Sequence, residues 1–215
     1  MKRGKNRQRI SLKSPPEEVS ALRGFPLRTL RRGTVLWRVT RAGRNPWWFS
    51  SSLKGRFDLL APLGTCYLAM DALAALMELV GPDITNGAVS RSFFSQRRLR
   101  RLALPRTHRV SNLTDRRALG FGVTAEVHTI TPYTRPQAWA KALKDSGAQG
   151  VLYLVRHDPS FTGRGVGLFG KAGERRSWKR GRELAIDAKL ESKLNEKCHV
   201  RVLPVPRASE LRISD

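Results

Sequence analysis

Two cysteines in 215 residues, Cys66 and Cys198, are too few to staple a chain of this length, and each reads as a reduced side chain in a cytoplasmic core. No stretch approaches the roughly 18 uninterrupted apolar residues of a membrane-spanning helix. The longest apolar region, Cys66 to Val80, is broken by Asp71 and Glu78. The basic start, Met1-Lys2-Arg3-Gly4-Lys5, is not followed by an apolar segment with a small-residue cleavage site, so no secretory signal is expected. The four histidines, His108, His128, His157 and His199, are far apart with no Cys or carboxylate at ligand spacing, which gives no metal site. Gly-x-Ser-x-Gly and Gly-x4-Gly-Lys-Ser are both missing, so hydrolases with a nucleophile elbow and phosphate-loop nucleotidases are set aside. Zinc-finger spacing, a Lys/Arg-Gly-aromatic strand motif and a heptad zipper are equally missing, which argues against a dedicated nucleic-acid module.

Acidic residues are scarce too, with 17 Asp plus Glu against 41 Lys plus Arg and a net charge of +24. The excess runs the whole length: ten basic and two acidic side chains in residues 1–34, nineteen and eight in 35–169, twelve and seven in 170–215. Such a balance attracts phosphates, an acidic partner protein or a phosphate-bearing substrate, and sign alone does not choose among them. Two clusters stand out, Lys2 to Arg9 and Arg97-Arg98-Leu99-Arg100-Arg101. A solvated basic surface is the bland account of both.

At 40% hydrophobic the chain can fill one core. Residues 1–32 read as a basic tail or irregular lead-in, with Ser14-Pro15-Pro16 interrupting it. The core is expected to begin at Thr34, where Val35-Leu36-Trp37-Arg38-Val39-Thr40 has the β-branched and aromatic content of a strand between Gly33 and Gly43. A second strand, 65–69, leads at Asp71 into the apolar helix 72–80, with Asp71 its N-cap and Gly81-Pro82 its stop. Further expectations are strands at 99–104, around 110 and at 151–155, an apolar segment at 166–169, a small helix near 115–119 and a helix over 136–145. Residues 171–215 read as an added helix (174–197) and strand (200–205). Strands and helices mix without regular βαβ alternation, which favours α+β over a doubly wound sheet.

Four polar residues stand in otherwise apolar settings: Arg38 and Tyr67 in strands, Arg56 in a Gly-Arg-Phe turn, and Glu78 on a helix apolar on nearly all sides. A carboxylate at position 78 must be paired or must work in a cleft. One account is an Arg38–Glu78 core pair. Alternation also lets Arg38 point away from Trp37 and Val39 toward a surface.

The ordered series Leu36-Trp37-Arg38-Val39, Gly55-Arg56-Phe57, Cys66-Tyr67-Leu68-Ala69 and Ala74-Ala75-Leu76-Met77-Glu78 resembles the RES domain family. The resemblance continues through Gln137-Ala138-Trp139-Ala140, Gly150-Val151-Leu152-Tyr153, Arg156-His157-Asp158 and Leu168-Phe169, and so covers residues 33–170. No single motif is specific; order and spacing carry the match. The resemblance implies a single-domain, ADP-ribosyltransferase-like fold of mixed and antiparallel sheets with flanking helices. It also implies a bacterial toxin that consumes NAD as its substrate, as a phosphorylase or as an ADP-ribosyltransferase, without a metal and neutralised by a helix-turn-helix (Xre-type) antitoxin.

Carried over by position, the resemblance assigns the NAD diphosphate to Arg38 and Arg56, with Arg156 as a further contact, the nicotinamide side to Tyr67 and catalysis to Glu78. A guanidinium grips phosphate oxygens by bidentate bonds, and an aromatic face attracts a cationic ring. A fixed carboxylate stabilises the oxocarbenium-like charge that develops as the glycosidic bond breaks. Two positions depart from the family pattern. The serine usual in the strand before Arg-His-Asp is Val155, with Ser160 or Ser50 to Ser52 as substitute hydroxyls, and the Asn frequent after Gly-Arg-Phe is Asp58. The alternative is a member that keeps the fold, is catalytically weakened, and binds nucleic acid or an acidic protein through its basic surface.

Overall fold

Strand β2 (Val35–Arg41) and strand β6 (Arg97–Ala103) pair antiparallel over their whole seven-residue lengths, from Val35↔Ala103 to Arg41↔Arg97. In β2 Val35, Trp37 and Val39 put apolar side chains at every second position, whereas β6 holds only Leu99, Leu102 and Ala103 among four arginines. A computed structural model describes residues 11–84 and 86–205. The cluster Lys2 to Arg9 lies outside the described residues.

In chain order the other elements are β1 (Leu27–Leu30), β3 (Trp48–Phe49), β4 (Leu63–Ala69), α1 (Ala72–Val80), β5 (Ala88–Ser90), α2 (Ser92–Ser95), β7 (His108–Asn112), α3 (Thr134–Asp145), β8 (Gly150–Leu154), β9 (Arg164–Lys171), β10 (Gly173–Glu174), β11 (Arg182–Ala185), α4 (Ala188–Cys198) and β12 (Arg201–Leu203). Eight strands form one sheet in the order β1-β7-β8-β9-β4-β2-β6-β11, antiparallel except for β7 against β8. The pairs β10–β3 and β12–β5 stand apart from it. The expected α+β class with mixed and antiparallel sheets is what the chain adopts.

One joint in this sheet positions everything that follows. β4 pairs with β9 over seven residues, from Leu63↔Lys171 to Ala69↔Gly165, whereas β4 and β2 share a single register pair, Trp37↔Ala69. Away from that pair the two strands part, and the large sheet opens into a cleft. Helix α1 packs on one side of the joint, with Ala74 and Ala75 buried beside Ala69, Leu99 and Val155. Asp71 caps it, accepting a 2.8 Å bond from the Ala74 amide, as an N-cap aspartate does.

Large side chains fill both faces of the sheet. On one face Trp139 and Leu143 of α3 meet Phe57, Val151 and Phe169. On the other, Leu36, Trp47, Phe49, Cys66, Leu102 and Leu168 pack together. Burying a side chain of this size contributes about 1.5–3 kcal/mol.

The lead-in before residue 33 is anchored at a few apolar points, although most of its described residues are exposed. Leu12, Leu22 and Phe25 join the α3 core, the Trp139 indole donates to the Lys13 carbonyl at 2.9 Å, and β1 pairs with β7. The expected helix over 174–197 is corrected: only 188–198 is helical, capped by Asp187, which accepts from the Leu190 amide at 3.1 Å. Trp178 instead packs edge-on against Trp47 and Phe49, Gly181 turns at φ +66°, and 182–185 form an edge strand on β6. There Glu183 pairs with Arg98 and Arg100, so a tertiary ion pair overrides helix propensity.

Candidate active site

The cleft beside the β2–β4 joint holds a cavity of about 340 Å³ that brings together Arg38, Arg56, Tyr67, Glu78 and Arg156. All five of the site residues expected from the sequence line it. Ala75, Glu78 and Leu79 reach it from α1, the spacing that puts three helical side chains on one face. Of its lining residues Glu78 alone is acidic, against Arg38, Lys54, Arg56 and Arg156.

Glu78 is half-buried and, among the described residues, forms no ion pair within 4.0 Å. The Arg38–Glu78 core pair is therefore not formed. Burial raises the Glu78 pKa above its ordinary value, while the Arg56 guanidinium, the Arg156 backbone amide and the Arg156 charge pull it back. The carboxylate thus faces cations without being neutralised by any one of them.

Arg56 is only 8% exposed. It donates to the Ile130 carbonyl at 3.1 Å, and its guanidinium lies 4.7 Å from the centre of the Tyr133 ring. Burial, and after it the nearby Arg156, lowers its pKa, against which Tyr133 and Glu78 act. Arg156 donates to the Tyr133 hydroxyl at 3.1 Å. Arg38 is turned partly into the wall: its Nη1 donates to the Pro46 and Trp48 carbonyls at 2.6 and 3.1 Å and approaches the Cys66 sulfur at 3.0 Å. This follows from its parity, since Leu36, Arg38 and Thr40 share the face opposite Trp37 and Val39.

Tyr67 lines the cavity, and its hydroxyl is fixed by two hydrogen bonds. The hydroxyl accepts from the Phe57 amide at 2.8 Å and donates to Asp58 Oδ1 at 3.0 Å. Asp58 also accepts from Ser50, Ser52 and the Gly55 amide, each at 3.1 Å, so its charge is held inside the Gly55-Arg56-Phe57 turn. A Cβ on Gly55 would stand 2.5 Å from both the Tyr67 hydroxyl and Asp58 Oδ1, and only glycine lets these groups meet. Burial, followed by the Asp58 charge, drives the Tyr67 pKa well above 10.0.

Val155 is fully buried among Ala69, Ala74, Ala75 and Leu99 and does not line the cavity. Neither Ser160 nor Ser50 to Ser52 reaches it. Ser160 donates to Asp158 Oδ1 at 2.5 Å, and Asp158 further accepts from the Thr162 and Gly163 amides, which makes it the organiser of the turn after β8. Trp47 is buried and Trp48 is 48% exposed; neither lines the cavity.

Two cavity tyrosines escape the sequence reading, Tyr133 and Tyr153. Tyr153 is buried, its ring lies over Gly165, and burial, followed by the Glu78 charge, raises its pKa well above 10.0. Strand alternation over 151–155 puts Tyr153 on the face of Val151, a signal the sequence carries, whereas Tyr133 lies between Pro132 and Pro136 in a segment with no periodicity. Among the described residues no three His, Cys, Asp or Glu side chains assemble as metal ligands. No helix among them is long and apolar enough to cross a membrane.

Sheet order, joint and cleft define an α+β protein with one cavity suited to a small anionic ligand. The RES domain model matches residues 35–186, past the 170 boundary expected from the motifs, and the chain belongs to the RES domain family. Its fold is similar to that of a chain in the crystal structure of the M. tuberculosis MbcT–MbcA toxin–antitoxin complex, with a TM-score of 0.60 and 18% identity over 83% of this chain and 97% of that one. No curated protein matches the sequence.

Proposed function

We propose that the protein is a RES-type toxin that cleaves NAD at the nicotinamide glycosidic bond and is held in check by an antitoxin. The observation that carries this reading is the meeting of the Glu78 carboxylate, the Arg56 and Arg156 guanidiniums and the Tyr67 ring in one cavity. Arg56 and Arg156 take the NAD diphosphate, and the Nε and Nη2 of Arg38 add a third grip. The Tyr67 ring receives the cationic nicotinamide on its face.

As the bond from ribose C1 to the nicotinamide nitrogen breaks, its electron pair moves to the ring nitrogen and discharges it. Positive charge then develops on the ribose beside Glu78, whose carboxylate is attracted more strongly in the transition state than in the ground state. One such oriented contact lowers the barrier by roughly 3–4 kcal/mol. An acceptor oxygen, from phosphate, water or a protein side chain, forms the new bond to C1 and gives its proton to solvent. Because Val155 supplies no hydroxyl and no serine lines the cavity, water or a protein acceptor suits this site better than bound phosphate.

An antitoxin segment carrying acidic side chains would complement a +24 chain. The toxin–antitoxin complex containing the similar fold supports a protein partner; a helix-turn-helix partner of Xre type rests on the family resemblance. The binding-protein alternative keeps Val155 in its favour but loses much of the arginine run. Arg98 and Arg100 pair with Glu183, Arg100 is only 6% exposed, and Arg97 lies 5.0 Å over the Phe93 ring. Thermal melting separates the two readings. NAD raises the melting temperature of wild type and not of Arg56→Ala if the cleft is an NAD site, whereas nucleic-acid binding that weakens steeply with salt and ignores Arg56 favours the alternative.

A further inference from the structure

Tyr133 touches both guanidiniums that face Glu78. Its ring covers Arg56 at 4.7 Å, and its hydroxyl oxygen accepts from Arg156 Nη1 at 3.1 Å. Arg56 is almost fully buried and finds one backbone acceptor, the Ile130 carbonyl. Two buried or half-buried like charges side by side repel each other, and a carboxylate between them would offset the repulsion but cancel much of the positive potential they offer a ligand. A tyrosine adds no full negative charge: the negative face of its ring and the lone pair of its hydroxyl hold the two cations in place and keep their combined positive potential.

We propose that Tyr133 is a positioning residue that sets Arg56 and Arg156 as a two-guanidinium clamp for the diphosphate of a dinucleotide. The proposal rests on the NAD reading above and deepens it. Neighbouring chemistry fits a ligand with two adjacent anionic groups. Each guanidinium has nitrogens beyond the one already bonded, Lys54 lines the same cavity, and the one carboxylate there, Glu78, forms an ion pair within 4.0 Å with neither of them. A fixed pair of forks recognises two phosphates joined at short distance, because bidentate contacts lose less freedom when the donors are already held.

The experiment measures binding of ADP-ribose, which carries the diphosphate but has no bond to cleave, to full-length wild type, Tyr133→Phe and Tyr133→Leu, with the melting temperature of each. Tyr133→Leu removes both contacts and is expected to weaken binding about tenfold. Tyr133→Phe keeps the ring over Arg56, loses the Arg156 contact, and is expected to fall between the two, roughly threefold weaker. A merely structural tyrosine would lower the melting temperature and leave the Kd of the folded fraction unchanged. Wild-type binding with a Tyr133→Leu Kd within twofold of it overturns the clamp while leaving the NAD reading standing. No binding by folded wild type overturns the NAD reading and the clamp with it. Should Tyr133→Leu not fold, Tyr133→Phe decides, and an unchanged Kd there overturns the clamp.

Discussion

The Tyr67 hydroxyl donates to Asp58 at 3.0 Å while accepting from the Phe57 amide at 2.8 Å, so the phenol is bound at both its donor and its acceptor in the wall of the cleft. Strand β4 is thereby tied to the turn that carries Arg56. The Asp58 negative charge also stays within the turn rather than in the cavity, although the sequence places it beside the expected diphosphate site.

Removing that hydroxyl tests the division of labour. Tyr67→Phe keeps the ring and leaves a buried carboxylate one donor short, which costs about 1–3 kcal/mol. Its denaturation midpoint should fall while NAD turnover per folded molecule stays within a few-fold of wild type. Tyr67→Ala should lose turnover as well; equal turnover in the two variants would remove the ring from the site.

Glu78 gives a stability prediction with a definite sign. Its folded pKa is raised by burial above the ordinary 4.5, so the folded protein holds this proton more tightly than the unfolded chain does. Its stabilising contribution is complete below the unfolded value and is lost as pH rises through the folded value. Glu78→Gln should therefore be the more stable protein at neutral pH, with the difference closing on acidification below about 4.5. Urea midpoints against pH measure this, and a gap independent of pH would contradict it.

His128 runs the other way. Burial, followed by the Arg56 charge, depresses its pKa from 6.5 to about 4, in keeping with a neutral ring whose Nδ1 lies 3.4 Å from the Leu154 amide. The unfolded chain takes up this proton as pH falls below 6.5, before the folded protein does. Its contribution is present above 6.5 and is lost down to about pH 4, to a limit of about 3 kcal/mol. Between pH 7 and 5 the urea midpoint of wild type should fall more steeply than that of His128→Gln; parallel slopes would refute the assignment.

How much of this was legible in the sequence differs element by element. Helix α1, its Asp71 cap and the awkward Glu78 on it follow from local rules, as does the strand parity that turns Arg38 away from Trp37. The cleft does not, because it depends on β2 and β4 sharing one register pair, Trp37↔Ala69, and a register between distant segments leaves no local pattern. For the same reason Arg182-Glu183-Leu184-Ala185 read as helix until its partner β6 was known. Leu12 and Phe25 read as part of a sparse basic lead-in, since two or three apolar side chains show no period of their own. Tyr133 carries no signal until Arg56 and Arg156 converge on it.

Position 155 tests whether the missing family serine matters. Val155→Ser puts a hydroxyl into the apolar cluster under α1, which costs about 1–3 kcal/mol. Since this side chain does not line the cavity, the variant should melt lower and gain no phosphate-dependent turnover. A phosphate-stimulated gain in nicotinamide release would show that the hydroxyl reaches the ligand.

The central claim is that Glu78 cleaves NAD in the cleft beside the β2–β4 joint, and nicotinamide release by purified protein, with and without phosphate, tests it most directly. The account predicts release by wild type and a loss of two to three decades, about 3–4 kcal/mol, in folded Glu78→Gln. Release that persists unchanged in Glu78→Gln, or none from folded wild type under either condition, would contradict it.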